Sequence, residues 1–143
     1  MRKFQIGEII FMLDAGLEDE PVQNQAMILS IDETEKILHV VVTENDGWIN
    51  LAFEDYQHTF FDTAKEADEA VKKLPKPNTT VYRIKDKKIE TQVTKCVDFI
   101  PRQNGTCELS VIFDFNTNDY SPVREIGSTM FNSRAEAEMH IGM

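Results

Sequence analysis

A gap-free internal repeat limits what this chain can fold into more than any other feature. The segment Thr59-Phe60-Phe61-Asp62-Thr63-Ala64-Lys65-Glu66-Ala67-Asp68-Glu69-Ala70-Val71 aligns with Thr129-Met130-Phe131-Asn132-Ser133-Arg134-Ala135-Glu136-Ala137-Glu138-Met139-His140-Ile141 at an offset of 70 residues. The shared pattern is T-[FM]-F-[DN]-[TS]-x-x-E-A-[DE]-x-x-[VI]. Thr63 and Ser133 have hydroxyls suited to capping a helix N-terminus, and Glu66 and Glu136 stand where a carboxylate can bond back to the cap amide. Ala67, Val71 and Leu74 then share one helical face, and Ala137 and Ile141 begin the same face again. One capping box is common, but two with matching flanks point to one unit used twice.

The flanking sequence extends the unit. Gly7 to Leu13 matches Asn78 to Ile84 at an offset of 71. Ala26 to Ile31 and Cys96 to Pro101 each lead through a polar turn into another apolar run, Ile37–Thr43 and Cys107–Phe115. Copy one carries a longer acidic turn around Glu18-Asp19-Glu20-Pro21 where copy two has Lys85-Asp86-Lys87-Lys88. The expected layout is a first β-rich repeat over 1–75 with a helix at about 63–74, and a second over 76–143 with a helix at about 133–142. The stretch Lys72-Lys73-Leu74-Pro75-Lys76-Pro77 reads as a helix stop and a short stiff linker. The fold class is α+β and mainly β: a tandem duplication of a four-stranded SH3-like barrel or curled antiparallel sheet, each copy closed by one short helix. Units of this size have thin cores, so the copies are expected to pack into one body.

Period-two alternation supports the strands. Cys107, Leu109, Val111, Phe113 and Phe115 alternate with Glu108, Ser110, Ile112 and Asp114. For Val97 and Phe99 to share the inner face, opposed residue numbers must have an even sum such as 208. This implies an odd loop, such as a three-residue turn with Gly105 left-handed. Cys96 and Cys107 then fall on opposite faces and should not bond to each other. The run Ile37-Leu38-His39-Val40-Val41-Val42 does not alternate and reads as a strand buried on both faces.

Charge divides the chain. Net charge is −10, and residues 1–75 carry 16 acidic and 6 basic side chains against 9 and 9 in residues 76–143. Such a first half should repel nucleic acid and anionic lipid. No apolar run approaches the ~20 residues of a membrane helix, and the Met1-to-Glu8 start has no secretory h-region. The expected location is the cytoplasm of a bacterium or a phage-infected host cell. No cofactor or metal is expected. His39, His58 and His140 lack ligand spacing, the cysteines are too few for zinc, and the single glycines form no phosphate-cradling loop. No nucleophile–base or paired-carboxylate arrangement stands out, so a non-enzyme is expected.

The least ordinary segment is Glu44-Asn45-Asp46-Gly47-Trp48-Ile49-Asn50, with Asp55 and Tyr56 shortly after. Its simplest reading has Trp48 starting a strand and packing on the barrel; the alternative makes Trp48 a protein-binding anchor rimmed by acids. In copy two, Asp119 and Tyr120 again set an aromatic after an Asn/Asp turn. The candidate partner-binding residues are therefore Glu18, Asp19, Glu20, Asp46, Trp48, Asp55, Tyr56, Asp119 and Tyr120.

The V-Y-x-I strand at Val81–Ile84 and the repeated F-x-[ST]-x-x-E-A helix start at 59–71 and 129–141 resemble those of small uncharacterised proteins from phages and mobile elements of Gram-positive bacteria. That resemblance implies a bacterial or phage origin and a small-barrel fold, and carries no functional residues. The expected function is a non-enzymatic binding module whose acidic first half meets a protein partner. One alternative is a phage-type, anti-defence or anti-CRISPR-like inhibitor of a nucleic-acid-binding host protein, using an acidic phosphate-mimicking face. Another is a small-molecule pocket between the copies. An oligomer is compatible with all three.

Overall fold

A computed structural model describes residues 2–15, 21–113 and 119–142 of the chain. The first half runs β1 (Ile9–Asp14), β2 (Val22–Asp32), β3 (Ile37–Val42), β4 (Trp48–Ala52), a 3-10 turn (Phe53–Asp55), β5 (Phe60–Phe61) and α1 (Ala64–Lys73). The second half runs β6 (Thr80–Lys85), β7 (Lys88–Pro101), β8 (Cys107–Phe113), β9 (Tyr120–Pro122), a 3-10 turn (Val123–Glu125), β10 (Met130–Phe131) and α2 (Arg134–His140). The fold is mainly β: two five-stranded antiparallel sheets, ordered β4-β3-β2-β1-β5 and β10-β6-β7-β8-β9. Read from opposite ends, the two orders are the same. Each half holds five strands rather than four. The additional pairing comes from β5 and β10, two residues each, which return to β1 and β6. The apolar runs ending at Phe61 and Phe131 read as strands, but nothing local in them says which strand they join.

Long bent strands let each sheet curl. β2 pairs with β1 through Val22–Met27 and with β3 through Ala26–Asp32, and its register shifts by one residue at Leu29. β7 does the same, with the shift at Lys95. A bulge of this kind bends the strand and increases its twist. The β7–β8 register pairs Val97 with Val111 and Phe99 with Leu109, and Arg102 N–H donates to the Thr106 carbonyl at 2.8 Å to close a three-residue turn. Gly105 sits in that turn at φ +86°, where a side chain would be strained. Cys96 and Cys107 oppose Ile112 and Pro101, five rungs apart. That spacing is about 16 Å along the strand, beyond the reach of a disulfide.

Both helices start as the sequence pattern requires. Thr63 Oγ1 accepts from the Glu66 amide, and Ser133 Oγ from the Glu136 amide, each at 3.2 Å. The carboxylates differ from the expected box: Glu66 and Glu136 accept the cap hydroxyls, each at 3.0 Å. The cap residue thus donates and accepts within one turn. α1 ends at Lys73, and Leu74 is extended because Pro75 follows it.

Two cores result. Ile10, Met12, Ala26, Ile28, Leu38, Val40, Val42 and Leu51 fill the first sheet, and Phe4 enters from outside it against Phe53 and Phe60. The second core gathers Val81, Val97, Leu109, Val111, Phe113, Val123 and Met130. It also takes Leu13, Phe61, Ala67 and Leu74 from before the proline linker, so the halves share apolar contact. The β3 expectation needs correction. Leu38, Val40 and Val42 face the core while His39 and Val41 are only half-buried on the opposite face, so β3 is not buried on both sides.

Candidate functional site

Register makes a surface that composition does not reveal. Ile9 opposes Met27, Met27 opposes Val41, and Val41 opposes Trp48. Their neighbours Ile10, Ala26, Ile28, Val40 and Leu51 point into the core, so these four point outward as one cross-strand apolar row. Trp48 begins β4 as expected, but its side chain does not pack on the body of the fold: it is 83% exposed. Ile9 is 38% exposed, and the bulge turns Leu29 outward to 37%. Leu29, Ser30, His39, Val40, Trp48 and Asn50 line a shallow hollow of about 390 Å³.

The edges of this face are fixed. His39 Nδ1 lies 2.6 Å from Asn50 Oδ1; the amide oxygen can only accept, so the ring donates from Nδ1. Asn50 Nδ2 donates across to the Gly105 carbonyl of the second half at 3.3 Å. Beside Trp48, the β3–β4 turn places Asp46 at φ +57°, with its N–H on the Val42 carbonyl at 2.9 Å. Asn45 Oδ1 accepts from Gly47 N–H at 2.8 Å, and Glu44 and Asp46 remain exposed.

The candidate residues read from sequence divide sharply. Asp46 and Trp48 lie together on this face. Asp55 is fully buried, its carboxylate taken by Arg102 at 2.8 and 2.9 Å. Tyr56 turns inward against Phe4 and Phe60, and its hydroxyl donates to Asp62. Asp119 clamps Arg83 with bonds of 3.0 and 2.8 Å. Tyr120 is 43% exposed but starts β9 on the other sheet. An offset of 70 from the matching 3-10 turns sets Tyr120 against Asn50, not against Trp48. Glu18, Asp19 and Glu20 lie outside the described residues. Ile9, Met27, Val41 and Leu29 went unnoticed in the sequence; the signal for them was the odd-numbered positions left over once the core positions are assigned.

Arginines neutralise several acids that a charged face would need. Arg2 Nε lies 2.8 Å from Asp62 Oδ1 and pairs with Glu8 as well. Arg83 holds the carboxyls of Asp119 and Glu90 below the usual carboxylate range. Among the described residues no group of three or more His, Cys, Asp or Glu is placed to hold a metal ion, and no helix is long and apolar enough to cross a membrane. A second concavity, about 550 Å³, lies between α1 and the Val123–Glu125 turn of the other half. Compared with known proteins, the chain matches no family model and no curated protein.

Proposed function

We propose that this chain is a duplicated SH3-like barrel acting as a non-enzymatic binding module, whose first barrel docks a protein partner on the Trp48 face. Duplication is supported by paired details beyond the sequence repeat. Leu13 and Ile84 each donate a backbone bond of 2.8 Å, to Thr59 and Thr129. Parallel bridges join Tyr56 to Phe60 and Ile126 to Met130. Bulges at Leu29 and Lys95, 3-10 turns after β4 and β9, and Phe4 and Leu74 as the residues filling each core repeat the scheme. The barrel reading rests on the bent long strand and the short fifth strand returning to the first.

The observation that carries the binding reading is the Ile9–Met27–Val41–Trp48 row ending in a tryptophan that is 83% exposed. Exposed contiguous apolar surface marks interaction sites, and tryptophan dominates such energetics. Glu44 and Asp46 beside it, in a first half of net charge −10, suit a partner with an apolar insert and a basic rim.

Capture from bacterial lysate, at low and high salt, tests this with the wild-type chain and the Trp48→Ala and Val41→Lys variants. A partner retained by wild type and lost with either variant, while thermal stability holds, is the expected result. Retention independent of both substitutions would overturn the docking face. A nucleic-acid-binding partner held only at low salt, and indifferent to Trp48, would instead favour the phosphate-mimicking inhibitor.

A further inference from the structure

The edges of the two sheets are not equally protected. β5 and β10 are two residues long and β9 is three residues ending at Pro122, so none of these offers a run of free backbone. β4 is five residues, Trp48-Ile49-Asn50-Leu51-Ala52, with no proline and no charged side chain. Its register with β3 is unbroken. Val42 N–H donates to the Gly47 carbonyl at one end of that ladder, and Phe53 N–H to the Lys36 carbonyl at the other. Antiparallel ladders use the backbone groups of alternate residues. Ile49 and Leu51 therefore face β3, whereas the N–H and C=O of Trp48 and Asn50 point off the sheet, unbonded among the described residues. The second half closes the far end: Asn50 Nδ2 donates to the Gly105 carbonyl, and Ala52 is buried. The open edge thus coincides with the end of the Ile9–Met27–Val41–Trp48 row.

Charge selects the kind of partner. Residues 37–52 contain Glu44 and Asp46 and no Lys or Arg, and both acids are exposed in the turn beside Trp48. A segment that reaches this turn meets two carboxylates with no cation on β3 or β4 to offset them.

We propose that the Trp48 edge of β4 binds an extended, basic segment of a partner protein as an added strand. The assignment rests on the Trp48 docking face and specifies its occupant. The segment's backbone pairs with Trp48 and Asn50, and an apolar side chain opposite Trp48 becomes the next member of the cross-strand row. A Lys or Arg beyond it meets Glu44 and Asp46.

Amide NMR of the full chain tests this with short capped peptides that alternate threonine with valine between terminal lysines. A valine opposite Trp48 turns its own N–H to the edge. The lysine peptide should move the Trp48 and Asn50 N–H signals downfield and leave Ile49 and Leu51, already turned to β3, nearly unmoved. N-methylating the valines should weaken binding by about tenfold or more. Glutamates in place of the lysines should do the same at low salt, and so should Trp48→Ala. Trp48-dependent binding that tolerates N-methylation, or shifts spread evenly along β4, would overturn strand addition while leaving the docking face standing. Binding indifferent to both Trp48→Ala and N-methylation would overturn both readings. No binding of the lysine peptide at millimolar concentration, or equal binding of the glutamate peptide, would overturn the basic strand and leave the docking face to the capture experiment. The same Trp48 and Asn50 shifts on concentrating the chain alone would give the edge to a second copy and overturn the proposal.

Discussion

Arg102 and Asp55 join the two halves through a paired guanidinium–carboxylate contact: Nη1 donates to Oδ2 at 2.8 Å and Nη2 to Oδ1 at 2.9 Å. Asp55 sits in the 3-10 turn after β4, and Arg102 follows β7. Arg102 also donates to Glu108 at 2.5 Å and to Thr106 at 3.2 Å, and Asp55 foremost pushes its guanidinium further toward the charged form. Removing one member of a buried pair leaves an uncompensated charge, at a cost of roughly 3–5 kcal/mol. Asp55→Ala should therefore lower the unfolding free energy by an amount in that range, measured by urea denaturation. Because the bond spans the halves, the transition should also broaden as they uncouple. A loss below about 1 kcal/mol would show that Glu108 alone satisfies Arg102.

Arg83 occupies a place that the first half gives to methionine. Met12 pairs with Phe60, and Arg83 pairs with Met130 in the same register; both are largely buried. Arg83 lies over the Phe113 ring, 4.9 Å from its centroid, and holds Asp119 and Glu90. Replacing a buried charge by a packed apolar side chain is often near neutral, and the two carboxylates, 31% and 37% exposed, can hydrate. Arg83→Met should thus change stability at neutral pH by less than about 1 kcal/mol.

Acid titration separates the two states of that site. Arg83 lowers both carboxyl pKa values in the folded chain. The resulting stability is present above the unfolded value of about 4 and fades as pH falls through the folded values. Wild type should lose stability in that acid window, and Arg83→Met should flatten the decline. Parallel acid limbs for the two proteins would count against the assignment.

Alkaline titration isolates Tyr56. Its hydroxyl donates to Asp62, and that bond, with burial second, raises the phenol above its ordinary value of 10.0. The folded state keeps its proton longer than the unfolded chain, so this stability is intact below about 10 and is lost as pH rises through the folded value. Ultraviolet phenolate absorbance should show a late-titrating component that disappears in Tyr56→Phe and moves down in Asp62→Asn. A Tyr56 component at or below the ordinary value would contradict the bond.

Local signals carried much of the architecture and little of the surface. The capping residues Thr63 and Ser133, the Pro75 stop and the odd turn at Gly105 are decided within a few residues, so the sequence alone located them. Phe61 and Phe131 were legible as the ends of apolar strands, but the return of β5 and β10 to β1 and β6 was not, because the pairing of a two-residue strand lies with its distant partner. Trp48 was named, but its three companions come from β1, β2 and β3, and only register brings them together. Asp55 and Asp119 read as surface acids because their partners, Arg102 and Arg83, lie 47 and 36 residues away.

The two helix caps should differ in consequence despite matching geometry. Each hydroxyl accepts one first-turn amide at 3.2 Å, and losing such a cap costs about 1 kcal/mol. Ala67 of α1 and Ala137 of α2 are both buried, but Ala67 lies in the core shared by both halves and α1 leads directly into Leu74 of that core. Thr63→Ala should therefore lower the global unfolding free energy by that amount, with a matching fall in the midpoint. α2 spans only seven residues, and Met139 on it is 79% exposed, so its order is less tightly tied to the global fold. Ser133→Ala should raise amide exchange across 134–140 several-fold while leaving the global midpoint nearly unchanged, because opening there is local. Equal midpoint shifts for the two variants would mean that α2 unfolds only with the whole chain.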